Sequence, residues 1–163
     1  MVWVGITGHR PERLEDHEDA VKELISEALQ HYGATRLFQG MAAGVDLWSA
    51  KEAWKLKIPY TACKPWAGHL PRVGDMIEYT KVIKHADQIV DVSPHFEYPG
   101  PWVYGKRNEF IVDSARAMIA VWDGQPYGGT YHCISYAWSK SIPVLRIDPE
   151  EREIGYVSEE VPF

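Results

Sequence analysis

Cysteine is scarce in this chain: Cys63 and Cys133 are the only two in 163 residues, and neither lies in a metal-ligand spacing. A disulfide framework is excluded, and both thiols are expected to be reduced, buried and inert. Long apolar runs are missing as well. No stretch approaches the roughly 18 apolar residues of a membrane span, and the apolar start of the chain is too short for a signal-peptide core. The expectation is a soluble, cytoplasmic protein with no membrane partner. Positive charge is in deficit: 17 Lys+Arg against 23 Asp+Glu gives a net charge of −6. That argues against a basic nucleic-acid coat and leaves room only for a local basic cleft. The seven histidines contain neither HExxH nor an i,i+4 pair, so no metal site is expected. The two common nucleotide signatures, GxGxxG and GxxxxGK[ST], are also absent, which disfavours an ordinary NAD dehydrogenase or NTPase.

What the chain does have is a globular balance, 45% hydrophobic and 25% charged, with an excess of large rings in 7 Trp and 9 Tyr. Such rings fill a core, and they also stack on planar ligands. Apolar runs at 2–7, 35–39, 58–63, 88–92, 117–122 and 142–147 read as strands. Between them, helical spacing covers 16–32, 45–56, 76–86, 108–115 and 130–139. Val21, Leu24, Ile25, Ala28, Leu29 and Tyr32 form the apolar stripe of the first helix, and Gly33 stands at its stop. Regular alternation of strand and helix predicts an α/β fold: a single three-layer Rossmann-like domain over 1–163 with a mostly parallel sheet. The acidic tail from about 148 reads as peripheral.

In such a sheet, ligands bind beyond the carboxyl ends of the strands. Three loops predicted there are rich in glycine or polar groups. They carry Gly8, His9 and Arg10; Gly40, Met41, Ala42, Gly44 and Asp46; and Asp123, Gly128, Gly129 and Thr130. Glycine allows close approach of a ligand to the backbone, and free amides at a helix start suit phosphate. The same glycines also serve as tight βα corners. Arg107 and Asn108 are read as lying just before the fourth helix, where Arg107 offers a fork for phosphate and Asn108 a cap or a sugar contact. Trp66, Trp102 and Tyr104 fall in irregular segments where they either stack a base or pack on loops. Asp46 and Asp123 suit ribose hydroxyls or helix capping.

The stretches Gly5-Ile6-Thr7-Gly8-His9-Arg10-Pro11, Gly40-Met41-Ala42-Ala43-Gly44-Val45-Asp46, Arg107-Asn108, and Asp123-Gly124 through Gly128-Gly129-Thr130 occur in this order. As a set they resemble the SLOG superfamily, the Rossmann-like group that includes DprA and LOG-type proteins, and within it the YpsA-like branch. The resemblance implies a pocket for a nucleotide or nucleotide-derived ligand, with no certain cofactor. LOG-type phosphoribohydrolases pair an Arg before the corresponding helix with a Glu three residues after the Thr of PGGxGTxxE. Arg107 matches the former, but Cys133 stands in place of the Glu. Cleavage of an N-glycosidic bond needs a carboxylate.

The expected function is therefore binding of a phosphate-containing small molecule, in a sensing or sequestering role. A hydrolase or N-glycosidase that uses Arg107 with Asp46, Asp123 or Glu78 is the enzymatic alternative, and DprA-like single-stranded DNA binding is the third reading. Trp48, Trp54 and Trp138 on helices are compatible with the buried face of a homo-oligomer and equally with ordinary core packing.

Overall fold

A computed structural model describes residues 1–159 of the chain. Six strands form in the predicted places: Trp3–Gly8 (β1), Arg36–Gln39 (β2), Tyr60–Lys64 (β3), Gln88–Asp91 (β4), Ala117–Val121 (β5) and Val144–Asp148 (β6). The helices are Glu18–Tyr32 (α1), Val45–Lys55 (α2), Met76–His85 (α3), Trp102–Ser114 (α4) and Gly129–Ser139 (α5). A seventh strand, Glu153–Val157 (β7), completes a sheet of order β4-β3-β2-β1-β5-β6-β7. β1 to β6 are all parallel, and β7 runs antiparallel to β6.

Alternation along the strands sorts the core into two layers. Val4, Ile6, Ile119 and Val121 face α1, α2 and α3, whose Ile25, Leu29, Leu47, Trp48 and Val82 pack on them. Met118, Ala120 and Trp122 face α4 and α5 and meet Ile111, Val112, Cys133 and Ile134. The result is the three-layer α/β architecture expected. From β1 the chain winds outward through β2, β3 and β4 with helices on one face, then returns beside β1 with β5 and places α4 and α5 on the other. The winding reverses between β1 and β5, and such a reversal opens a crevice at the carboxyl ends of the strands.

Two expectations are corrected. The fourth helix begins at Trp102 rather than at 108, so Arg107 and Asn108 lie inside it and Asn108 is not its cap. The early turns bury only Val103 and contain Gly105, and they therefore lack the apolar rhythm that marks a helix in sequence. The acidic tail, expected to be peripheral, adds β7 to the sheet: Ile154 packs on one core layer and Val157 on the other. Its charges suit an edge strand and hide the alternation. Of the three helix tryptophans, Trp48 is buried and Trp138 donates to the Val157 carbonyl at 3.3 Å, so only Trp54 remains largely exposed.

Both cysteines are free and buried, and burial pushes each thiol up to about 12. Among the described residues no helix is long and apolar enough to cross a membrane.

Candidate functional site

The carboxyl ends of β1, β2 and β3, together with the start of α5 and one face of α4, enclose a cleft of about 620 Å³. On α4, Tyr104, Arg107, Asn108 and Ile111 recur at helical spacing and form one wall. Gly8, His9, Arg10, Glu12 and Arg13 follow β1 along the rim. Met41, Ala42 and Asp46 come from the β2–α2 connection, and Gly129 and Thr130 from the first turn of α5. The segment after β3 supplies the remaining wall with Trp66, His69, Arg72 and Asp75.

Most of the residues singled out in the sequence meet here, whereas Gly40, Gly44, Glu78, Trp102, Asp123 and Gly128, the last with φ +93 just before α5, do not line the cleft. Gly40 lies behind Arg107, where a β-carbon would come within 2.7 Å of that side chain. Gly44 adopts φ +88 at the start of α2 and has its β-carbon space filled by the His9 carbonyl and Pro11. Asp123 is turned into a polar cluster beside the cleft: it pairs with Arg13, accepts the Gln125 amide at 3.0 Å, and faces the His9 ring at 3.4 Å. Glu78 sits on α3, pairs with Lys51 at 3.8 Å, and does not line the cleft. Gly8 lines the cleft, but it is glycine because Val45 packs 2.6 Å from where a β-carbon would be.

The β2–α2 loop is largely committed to itself. Gln39 accepts the Met41 amide at 2.7 Å, and Asp46 accepts the Ala42 amide at 3.2 Å. Asp46 therefore ties down the loop rather than capping a helix or facing solvent. By contrast, no side chain caps α5 among the described residues, and its first-turn residues Gly129 and Thr130 line the cleft with amides that have no acceptor among those residues. Arg107 donates to the Gly40 carbonyl at 3.0 Å and to Asn108 Oδ1 at 3.2 and 3.3 Å, and its guanidinium lies 5.6 Å from the Tyr104 ring. Three of its five N–H donors are thus used, and two have no hydrogen-bond partner among the described residues.

Of the other cations, Arg72 pairs with Glu12 at 2.6 Å and Asp75 at 3.5 Å, while Arg10 acts on Glu12 through its charge and makes no side-chain hydrogen bond or ion pair among the described residues. Trp66 meets Tyr104 and Tyr98 edge-on, at 6.1 and 5.1 Å between centroids. Cys133, at the position of the LOG-type Glu, is buried in the core with its thiol held protonated, so it brings neither a carboxylate nor a nucleophile to the cleft. Among the described residues no three His, Cys, Asp or Glu side chains converge as metal ligands.

Burial raises the Asp46 carboxyl above its ordinary 3.8, opposed by the Arg107 charge and by the amides of Ala42 and Gly40. An acid whose pKa is higher in the folded than in the unfolded state favours folding most below the unfolded value. That advantage is lost as pH rises through the folded pKa. Asp46→Asn keeps an acceptor for Ala42 and removes the titration. The melting temperature of the variant relative to wild type should rise with pH above about 4 and then level off. Parallel melting curves across that range would show that Asp46 carries no such linkage.

The sequence reading missed Glu12, Arg13, His69, Arg72 and Asp75. Glu12 and Arg13 follow directly on the first loop and were within its reach. His69, Arg72 and Asp75 sit in a non-periodic segment, and only its return over the sheet edge brings them to the cleft.

The sequence pattern of the YspA SLOG family (YpsA) matches residues 4–142. A UPF0398 protein of Staphylococcus aureus strain JH9 is 27% identical over 110 residues, covering 63% of this chain and 56% of the relative. The chain thus spans little more than half the length of the curated relatives it matches. Among solved structures, DNA processing protein A from Helicobacter pylori, studied for its single-stranded DNA binding mode, superposes with a TM-score of 0.69 at 18% identity, over 90% of this chain and 65% of that one. The molybdenum cofactor carrier protein of Chlamydomonas reinhardtii gives 0.61 at 16% identity, over 91% and 78%. At these identities the likeness is one of fold.

Proposed function

The chain belongs to the YspA SLOG family, and we propose that its cleft binds a nucleotide or nucleotide-derived small molecule in a sensing or sequestering role. The observation that carries this reading is the convergence of Arg107, the uncapped start of α5 and the Trp66–Tyr104 pair on one cleft beside the sheet's switch point. The phosphate takes the amides of Gly129 and Thr130 and the spare donors of Arg107, while the base lies toward the aromatic wall. The loop at Gly40 to Gly44 braces Arg107 instead of holding the anion itself.

Small-molecule binding is favoured over a nucleic-acid strand because the cleft's cations are mostly spent on internal partners. Arg13 faces Asp123 and Arg72 faces Glu12, so Arg10 and part of Arg107 remain. A strand would need a row of free cations along its backbone. Cleavage in the LOG manner is disfavoured because Cys133 is buried, Glu78 lies outside the cleft, Asp46 is held by the Ala42 amide and Asp123 by Arg13.

Thermal-shift and calorimetric titration with mononucleotides, ADP-ribose and a cyclic dinucleotide tests the proposal. At least one should stabilise the wild-type protein. Arg107→Ala, checked for an unchanged fold by its own melting curve, should bind that compound roughly 10- to 100-fold more weakly, the worth of a charge-assisted hydrogen bond. Equal affinity in the two proteins removes Arg107 from the site. Absence of any shift removes the nucleotide.

A further inference from the structure

We infer that His69 is a specificity-determining residue of this cleft, a hydrogen-bond acceptor at Nε2 that reads an N–H on the edge of the ligand's base. The inference rests on the nucleotide reading above and extends it from the anion to the planar group.

The chemistry starts from Tyr79 on α3, which is buried and has its phenol pushed up in pKa by that burial, so it keeps its single proton. Its Oη lies 3.0 Å from the His69 carbonyl oxygen and 3.0 Å from His69 Nδ1. The carbonyl can only accept, so the phenol proton goes there. A phenol oxygen lone pair is left facing Nδ1, and that nitrogen must then carry the imidazole proton. The neutral ring has one proton to place, and Nε2 is left as a bare lone pair. Nε2 has no hydrogen-bond partner within the protein among the described residues, while His69 lines the cleft.

The ring is also held in place. Trp66 packs edge-on against it at 4.8 Å, and the Tyr79 ring lies at 5.5 Å on a tilt. The backbone beneath is pinned: the His69 amide donates to the Trp66 carbonyl at 3.0 Å, and the preceding Gly68 amide donates to the His95 carbonyl at 3.3 Å. Burial first, then the positive charges of Arg107 and Lys64, lower the imidazole to about 4. At neutral pH the ring is therefore uncharged and gives no help to a phosphate. A fixed, neutral acceptor next to an aromatic wall is complementary to a base edge that presents a donor, and it discriminates against a ligand without one by leaving a buried lone pair unmet.

Two measurements on the full chain decide it. Nitrogen-15 correlation spectra of the imidazole should show Nδ1 protonated and Nε2 bare in wild type, and an exchanging mixture of tautomers in Tyr79→Phe. A protonated Nε2 in wild type overturns the inference whatever binds. The second measurement titrates the four ribonucleoside monophosphates, with ribose 5-phosphate as the baseless probe.

His69→Phe should weaken the best-bound monophosphate about tenfold and leave ribose 5-phosphate unchanged, whereas His69→Gln, which restores an acceptor, should recover most of the loss. If His69→Phe binds the monophosphate as wild type does, the role of His69 is refuted and the cleft assignment stands. If wild type binds none of the monophosphates, ribose 5-phosphate, ADP-ribose or the cyclic dinucleotide, the nucleotide reading fails, and this inference fails with it.

Discussion

Gly68→Ala is expected to destabilise the protein by about 3 kcal/mol, toward the upper end of what overpacking does in a well-packed site. A β-carbon at Gly68 would lie 1.7 Å from the Phe96 carbonyl oxygen and 2.7 Å from the carbonyl carbon. Backbone, not a flexible side chain, occupies that space, so two chain segments must separate. Those segments are latched. The Ala67 amide donates to the Ser93 carbonyl at 3.0 Å, the Gly68 amide to the His95 carbonyl at 3.3 Å, and the Val92 amide to the Lys64 carbonyl at 3.0 Å. One segment carries Trp66 and His69, and the other carries Tyr98 against Trp66. Parting them therefore dismantles the aromatic wall as well. Chemical denaturation should show a lower midpoint with an unchanged slope. Gly74→Ala is the control, because nothing lies within 4 Å of its β-carbon position and its φ is ordinary. Equal stability of the two variants would mean the latch has no energetic weight.

The parts of the molecule that could be read in advance are those where a single physical demand dominates the sequence. Ala117 to Val121 are buried on both faces, and a continuous apolar run is what a central parallel strand requires. The α1 stripe from Val21 to Leu29 is equally direct, with Gly33 in the left-handed conformation closing it. The start of α4 was hidden because Trp102, Tyr104 and Arg107 face solvent or the cleft instead of the core, and local pattern registers only core-facing residues. β7 was hidden because an edge strand needs few apolar contacts.

At the site, glycines were the visible signal, and their role differs from the one first read. Gly8 gives room to Val45, and Gly40 gives room to Arg107, so both serve the ligand through a protein neighbour. His69 had no signal at all. Its importance depends on Tyr79 ten residues on, and on a tautomer that no spacing rule expresses.

The second large effect should separate function from folding. Gly40→Ala places a methyl 2.7 Å from Arg107 Cδ and Nε and 3.0 Å from Cζ. This neighbour is a long side chain that can swing away, so the fold should lose only about 1 kcal/mol, the low end of what overpacking costs at a buried position. What is lost is the brace. The 3.0 Å bond from Arg107 Nη1 to the Gly40 carbonyl breaks, and the guanidinium leaves the wall it shares with Asn108 and Tyr104. Affinity for the bound nucleotide should fall roughly 10- to 100-fold, as for Arg107→Ala, because both variants empty the same anion contact. The two changes act through one group, so the double variant should bind no more weakly than Arg107→Ala alone, with a coupling energy close to the full single effect. Calorimetric titration of the four proteins reads this directly. Additive losses would place Gly40 in contact with the ligand and return the anion seat to the β2–α2 loop.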